Sequence, residues 1–163
     1  CKKEEITSDV QFLSYSYFGS NCFTYSWDES DEIVLRDKEE YEAYFRKLLR
    51  SSNDCSNVAP TEIDFDKYTL IGHWTSGSGC DVDYERKIEQ KGNKEVTYHI
   101  TVTYSGLCMK LISDMNWALI PKIKNRTDVI FEVEAVSYTH LTLPTTHAVL
   151  ILIVVVASTR KYR

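Results

Sequence analysis

The chain has 163 residues, 43% hydrophobic and 26% charged, the make-up of one soluble globular domain with room for a packed core. Its net charge is −5, and because residues 136–163 hold three basic side chains and no acid, the first 135 residues carry −8. An acidic surface without a basic stripe argues against nucleic acid as a partner, since phosphate neutralisation supplies most of that affinity.

Five cysteines, Cys1, Cys22, Cys55, Cys80 and Cys108, leave one thiol over once pairs are drawn. Cys1, followed by Lys2, Lys3, Glu4 and Glu5, resembles the start of a mature bacterial lipoprotein, in which the signal peptide is removed before a lipid-bearing cysteine and a polar tether follows. That resemblance implies lipidation of Cys1, a tether over residues 1–9, attachment to a membrane through the lipid, and a place in the bacterial cell envelope on the outer membrane, facing periplasm or exterior. The four remaining cysteines make an even set suited to an oxidising compartment.

In chain order, residues 10–18 alternate Leu13, Tyr15 and Tyr17 against Ser14 and Ser16. Residues 22–27 alternate Phe23, Tyr25 and Trp27 after the turn formers Gly19, Ser20 and Asn21, a hairpin pattern. Residues 32–36 form a third short strand. Asp37, with Glu40 three positions on, makes a variant capping box. The apolar stripe Tyr41, Tyr44, Phe45, Leu48 and Leu49 then predicts a single main helix over about residues 38–50 that covers a sheet.

The second half reads almost wholly as strand. Residues 67–75 lead into Ser76-Gly77-Ser78-Gly79, read as a hairpin loop. Residues 82–89 carry Val82, Tyr84, Arg86 and Ile88 on one side. Gly92 turns the chain into residues 95–105, where Val96, Tyr98, Ile100, Val102 and Tyr104 alternate with polar residues. Residues 116–123 contain Pro121, which suggests an edge or a strand end, and residues 128–134 close the domain with Val129, Phe131 and Val133 inward. The expectation is an α+β fold over residues 10–135, an antiparallel sheet of about seven to eight strands with one helix packed on it.

Residues 136–163 stand apart. The codons GTC TCT TAT ACA CAT CTG ACG CTG CCG ACG, part of a widely used transposon-based sequencing adapter, translate to VSYTHLTLPT, the sequence of residues 136–145. The apolar run at 148–157 fits a continuation of the adapter with altered codons. The tail is therefore expected to be adapter read-through, not part of the native domain. As a membrane anchor its ten apolar residues would span about half of the roughly 20 that a helix needs.

The residue types that carry chemistry are sparse. Gly77 and Gly79 precede Cys80 and Asp81 and then a strand, whereas a phosphate cradle opens a helix. His73 and His99 are the two histidines before the tail, each within a strand and without a spaced ligand set, so no metal and no cofactor are expected. Asp81, Asp83 and Glu85 alternate along one face of a strand, and Arg86 and Gly92 stand where a calcium loop needs Gly and Glu. A small hydrolase using His73 with Asp81 or Asp83 is the enzymatic alternative, and exposed Tyr15, Tyr17, Trp27 or Trp74 could form a carbohydrate-binding surface. Four cysteines allow three pairings. Cys80 and Cys108 flank the hairpin between them, which favours that bond and leaves Cys22 with Cys55.

The order of parts resembles the C-terminal domain of PrcB-type protease-complex subunits, a bacterial extracytoplasmic family. The matching pieces are the aromatic helix at 41–49, Pro60, Ile63-Asp64-Phe65, the strand at 68–74 and Ile120-Pro121, within residues 37–134. Gly79-Cys80-Asp81 stands where that family has Gly-Gly-Tyr. The general make-up is similar to lipoproteins of Bacteroidota. The resemblance implies a non-catalytic accessory or binding domain with a protein partner, such as a protease or surface complex, and carries no catalytic residues to transfer.

Overall fold

The computed structural model describes residues 4–5, 9–13, 32–49, 60–138 and 156–162. The expected hairpin over 10–27 is therefore described only from 10 to 13, and Cys1, Tyr15, Tyr17, Cys22, Trp27 and Cys55 lie outside the described residues. The elements in chain order are β1 (Glu4–Glu5), β2 (Gln11–Leu13), β3 (Glu32–Leu35), α1 (Lys38–Leu48), β4 (Tyr68–Ser78), β5 (Asp81–Lys91), β6 (Glu95–Ser105), β7 (Leu111–Pro121), β8 (Asp128–Tyr138) and β9 (Val156–Tyr162). They form a five-stranded sheet in the order β1-β5-β6-β8-β9 and a four-stranded sheet in the order β2-β7-β4-β3. A β-rich fold with one helix among the described residues is what the alternating patterns predicted.

Two features differ from expectation. The five-stranded sheet is mixed, not antiparallel throughout: β6 and β8 run parallel, from Glu95 opposite Asp128 to Ser105 opposite Tyr138. The cause is topological, since the chain leaves β6, passes through β7 in the other sheet and returns, and such a crossover delivers parallel strands where a short turn cannot. In addition, β4 and β5 belong to different sheets. The Gly-rich stretch is therefore a corner between sheets and not a hairpin loop. Ser76, Gly77 and Ser78 remain in β4.

The chain divides into two compact units, one of residues 1–6, 75–114 and 128–163, the other of residues 7–74 and 115–127. In the second unit, α1 starts where the capping residues place it. Asp37 is extended and its Oδ1 accepts from the Glu40 amide at 2.8 Å, while Glu40 Oε2 accepts from the Arg36 amide at 2.7 Å. The helix ends at Leu48 because Leu49 turns extended at φ −67°, ψ 126°. Its apolar stripe buries Tyr41, Phe45 and Leu48 in a core with Ile33, Leu35, Ile63, Phe65, Leu70, Met115 and Trp117. Lys122 stitches this unit, donating its amide to the Lys67 carbonyl at 2.7 Å and its ammonium to the Arg36 carbonyl.

In the first unit, β5 and β6 pair along their full lengths, Asp81 opposite Ser105 and Lys91 opposite Glu95. The period of two places Ile88, Val96, Tyr98, Ile100, Val102, Tyr104, Val129 and Phe131 on one buried face. Asp83, Glu85, Lys87, His99 and Glu132 occupy the other face. Strand β8 continues into the suspect tail as far as Tyr138, and the backbone of residues 156–162 pairs with it from Val129–Tyr162 to Ala135–Val156. An open strand edge accepts an extended segment through backbone hydrogen bonds whatever its side chains, so this pairing has no bearing on where the tail comes from. Among the described residues no helix is long and apolar enough to cross a membrane.

Candidate functional site

A groove of about 390 Å³ runs beside α1 in the second unit, within the size range of ligand pockets. Among the described residues two chain segments build it. The exposed shoulder of α1 supplies Lys38, Glu42 and Arg46 around Tyr41, Phe45 and Leu49, and the extended segment at 60–65 supplies Pro60, Thr61, Glu62, Ile63 and Phe65. Helical spacing explains the first set: positions 38, 42 and 46 form a charged row beside Tyr41 and Phe45, and Leu49 follows where the chain leaves the helix. The second set is held by the Tyr41 hydroxyl, which donates to the Thr61 carbonyl at 2.7 Å, and by ring contacts of Tyr41 with Phe65 at 5.3 Å and with Phe45 at 4.7 Å.

The groove thus has an aromatic and aliphatic floor and a rim of two cations and two anions. Lys38 sits 3.8 Å from Glu42, an exposed helical pair of small worth. Among the described residues its walls offer apolar contact area and charged groups that can orient a ligand. Alternating core residues were legible in the sequence; the groove was not, because Tyr41 and Phe45 serve both as core and as floor.

The anchor of the 60–65 segment lies just beyond it. Asp64 Oδ2 pairs with Lys67 Nζ at 2.8 Å and Oδ1 accepts from the Asp66 amide at 3.1 Å. The Lys67 hydrogen bond holds the Asp64 carboxyl below its usual range, and Asp64 in turn raises the Lys67 ammonium. The Ile63-Asp64-Phe65 entry is therefore an Asx-type turn with both flanking apolar side chains buried.

The histidines are placed differently from one another. His73 lies in β4 opposite Glu32, and its carbonyl accepts from the Asn116 side chain at 3.4 Å. It belongs to the second unit, while Asp81 and Asp83 are exposed on β5 of the first; the two sets are not gathered in one unit. His99, at the centre of the outer face of β5-β6-β8, has Nε2 at 3.3 Å from Glu89 and Nδ1 at 3.0 Å from Glu132. Lys87 reaches Glu89 at 3.1 Å. The Lys87 hydrogen bond, with help from His99, keeps the Glu89 carboxyl below its usual range. The imidazole thus stands between carboxylates of the two neighbouring strands, Nδ1 the closer to its partner, while Nε2 makes no hydrogen bond among the described residues. Among the described residues no group of three or more His, Cys, Asp or Glu is placed to hold a metal ion.

On the opposite, inner face stand three tyrosines whose hydroxyls burial makes weaker acids. Tyr84 is pushed up to about 12, and Tyr98 and Tyr104 are also raised. Of the carbohydrate-face candidates, Trp74 is half-buried and packs on the core of the second unit. Cys80 and Cys108 are bonded, with Cα atoms 4.8 Å apart. No family model matches the chain, and neither does any curated protein or solved structure. The likeness to PrcB-type subunits rests on the pattern of residues alone.

Proposed function

We propose that this is an extracytoplasmic, non-catalytic binding domain, an accessory subunit that seats an apolar or aromatic side chain of a partner protein in the α1 groove. The observation that carries this reading is the composition of the groove: among the described residues, an apolar floor of Tyr41, Phe45, Leu49, Ile63 and Phe65 under a rim of Lys38, Arg46, Glu42 and Glu62. Such a lining matches the way protein interfaces take an anchor residue, with a central apolar pocket and a polar rim that fixes orientation. The Cys80–Cys108 bond supports placement outside the cytoplasm, where disulfides persist.

The test is selection of displayed peptides against the folded chain, followed by amide-shift mapping of the winners. Selected peptides share an aromatic or large aliphatic anchor, shift residues 41–49 and 60–65, and lose binding by about tenfold or more in Leu49→Glu, a loss of about 1.4 kcal/mol. Winners without a common apolar anchor, or shifts confined to other surfaces, would reject the groove as the binding site.

A further inference from the structure

The connection from β6 to the first residue of β7 carries the three most exposed large apolar side chains among the described residues. Leu107 is 69% exposed, Met109 100% and Leu111 54%. Large apolar side chains scattered singly on a surface are ordinary, but three within five residues concentrate apolar surface in one short stretch. This one is also held in shape. Cys108 is bonded to Cys80 and donates its amide to Cys80 Sγ at 3.1 Å, and the Gly79 amide donates to the Lys110 carbonyl at 3.1 Å. Gly106 takes φ +87°, and a Cβ there would meet Cys80 Sγ at 2.4 Å, so the bend before the stretch is available to glycine alone. A stapled loop that shows Leu, Met and Leu to solvent gives up little conformational entropy when it docks.

The charges beside this stretch select the partner. Strand β5 starts at the staple, and Asp81, Asp83 and Glu85 are exposed at alternate positions along its outer face. None of the three forms an ion pair among the described residues. Alternate residues of a strand are about 6.7 Å apart, the spacing of alternate side chains in any extended peptide. Against these three carboxylates the loop itself offers one cation, Lys110. An anionic bilayer is repelled by this arrangement, and a second copy would bring the same acids face to face.

We infer that the loop at 106–111 and the carboxylate row of β5 together form a docking surface for an extended, basic segment of another protein, with Lys or Arg at alternate positions along Asp81, Asp83 and Glu85 and apolar residues covering Leu107, Met109 and Leu111. This surface does not rest on the groove of the other unit, and each can fail without the other.

The probe is a synthetic peptide of three Lys-Thr repeats followed by Leu-Phe-Leu, titrated into the full chain and read by amide shifts. Shifts centred on residues 81–85 and 106–111 are expected, with affinity that falls as salt rises. Two variants should each weaken binding about tenfold, Asp81→Asn with Asp83→Asn and Glu85→Gln, and Leu107→Ser with Met109→Ser. All these positions are exposed, and unchanged melting temperatures confirm that the variants fold. The inference is overturned if a peptide with Glu in place of Lys binds equally well, or if the shifts map elsewhere. It is equally overturned if the loop variants lose binding to neutral or anionic phospholipid vesicles and not to the peptide, or if the loop mediates self-association in sedimentation.

Discussion

Gly77 lies against the ring of Tyr104, so closely that a Cβ at Gly77 would stand 2.4 Å from Tyr104 Cε2. Gly77 belongs to β4 and Tyr104 to β6, and the missing side chain of one is the space the other fills. Tyr104 is 3% exposed and cannot swing into solvent without opening the buried face of its sheet. Gly77→Ala is therefore expected to lower stability by about 1–3 kcal/mol, the usual cost of overpacking. Urea denaturation of Gly77→Ala, Tyr104→Ala and the double variant measures it. The coupling energy should be large and favourable, since removing the ring makes room for the methyl; strict additivity would show that the contact does not matter.

Asp37 fixes where α1 begins. Its side chain satisfies the Glu40 amide, one of the four donors that a helix leaves without intrahelical partners. Asp37→Ala should cost about 1 kcal/mol and Asp37→Ser or Asp37→Asn much less. Because Lys38, Tyr41 and Phe45 reach the groove from this helix, fraying of its first turn should also loosen the groove. Hydrogen exchange at residues 38–42 should accelerate in Asp37→Ala and return to its original rate in Asp37→Ser. Equal exchange in both would rule out the cap as the cause.

Much of this fold could be read from side-chain periodicity, and what could not has a common cause. The strand over residues 95–105 and the start of α1 follow from local rules, alternation in one case and capping in the other. The bond between Cys80 and Cys108 belongs to one of the three pairings that four cysteines allow, and the hairpin they flank favours it without deciding it. Which strands pair is decided at longer range. Nothing local distinguishes a turn between β4 and β5 from a corner that sends them into different sheets, and nothing in residues 106–127 announces that β8 will lie parallel to β6. The sequence pattern starts a strand at Asn116, whereas β7 begins at Leu111, because Leu111 and Ile112 follow a polar, cysteine-containing connection that masks the alternation. Sites fared similarly. His99 between Glu89 and Glu132 requires three strands in register, and the groove requires α1 and the segment at 60–65 to meet.

The tyrosines of the inner face make stability depend on alkaline pH. Burial raises Tyr84 to about 12 and also raises Tyr98 and Tyr104 above the ordinary value of about 10. In the folded state these hydroxyls keep protons that the unfolded chain gives up, so the unfolded chain binds fewer protons above about pH 10. Their contribution is fully present below that pH and is lost as pH rises through about 12. Denaturant midpoints measured across this interval should fall, and the fall should be shallower in Tyr84→Phe. Phenolate absorbance gives the independent check. If the hydroxyl lost in Tyr84→Phe is one that ionises near pH 10 in the folded protein, the burial argument fails.

The Cys80–Cys108 bond closes a loop with a sequence separation of 28 residues. Loop-closure entropy for a ring of that size corresponds to about 3.5 kcal/mol of stabilisation through the unfolded chain. The bond sits beyond the open end of the β5–β6 hairpin, where Asp81 opposite Ser105 is the last pair, so reduction should leave the register intact. Replacing both cysteines by serine is expected to lower the urea midpoint in proportion to that energy while amide protection in the middle of β6 persists. Faster exchange should be confined to residues 79–82 and 104–111. A loss below about 1 kcal/mol would mean that the unfolded chain is already restrained by other contacts. Loss of protection throughout β6 would instead show that the staple, and not the ladder of paired residues, sets the hairpin.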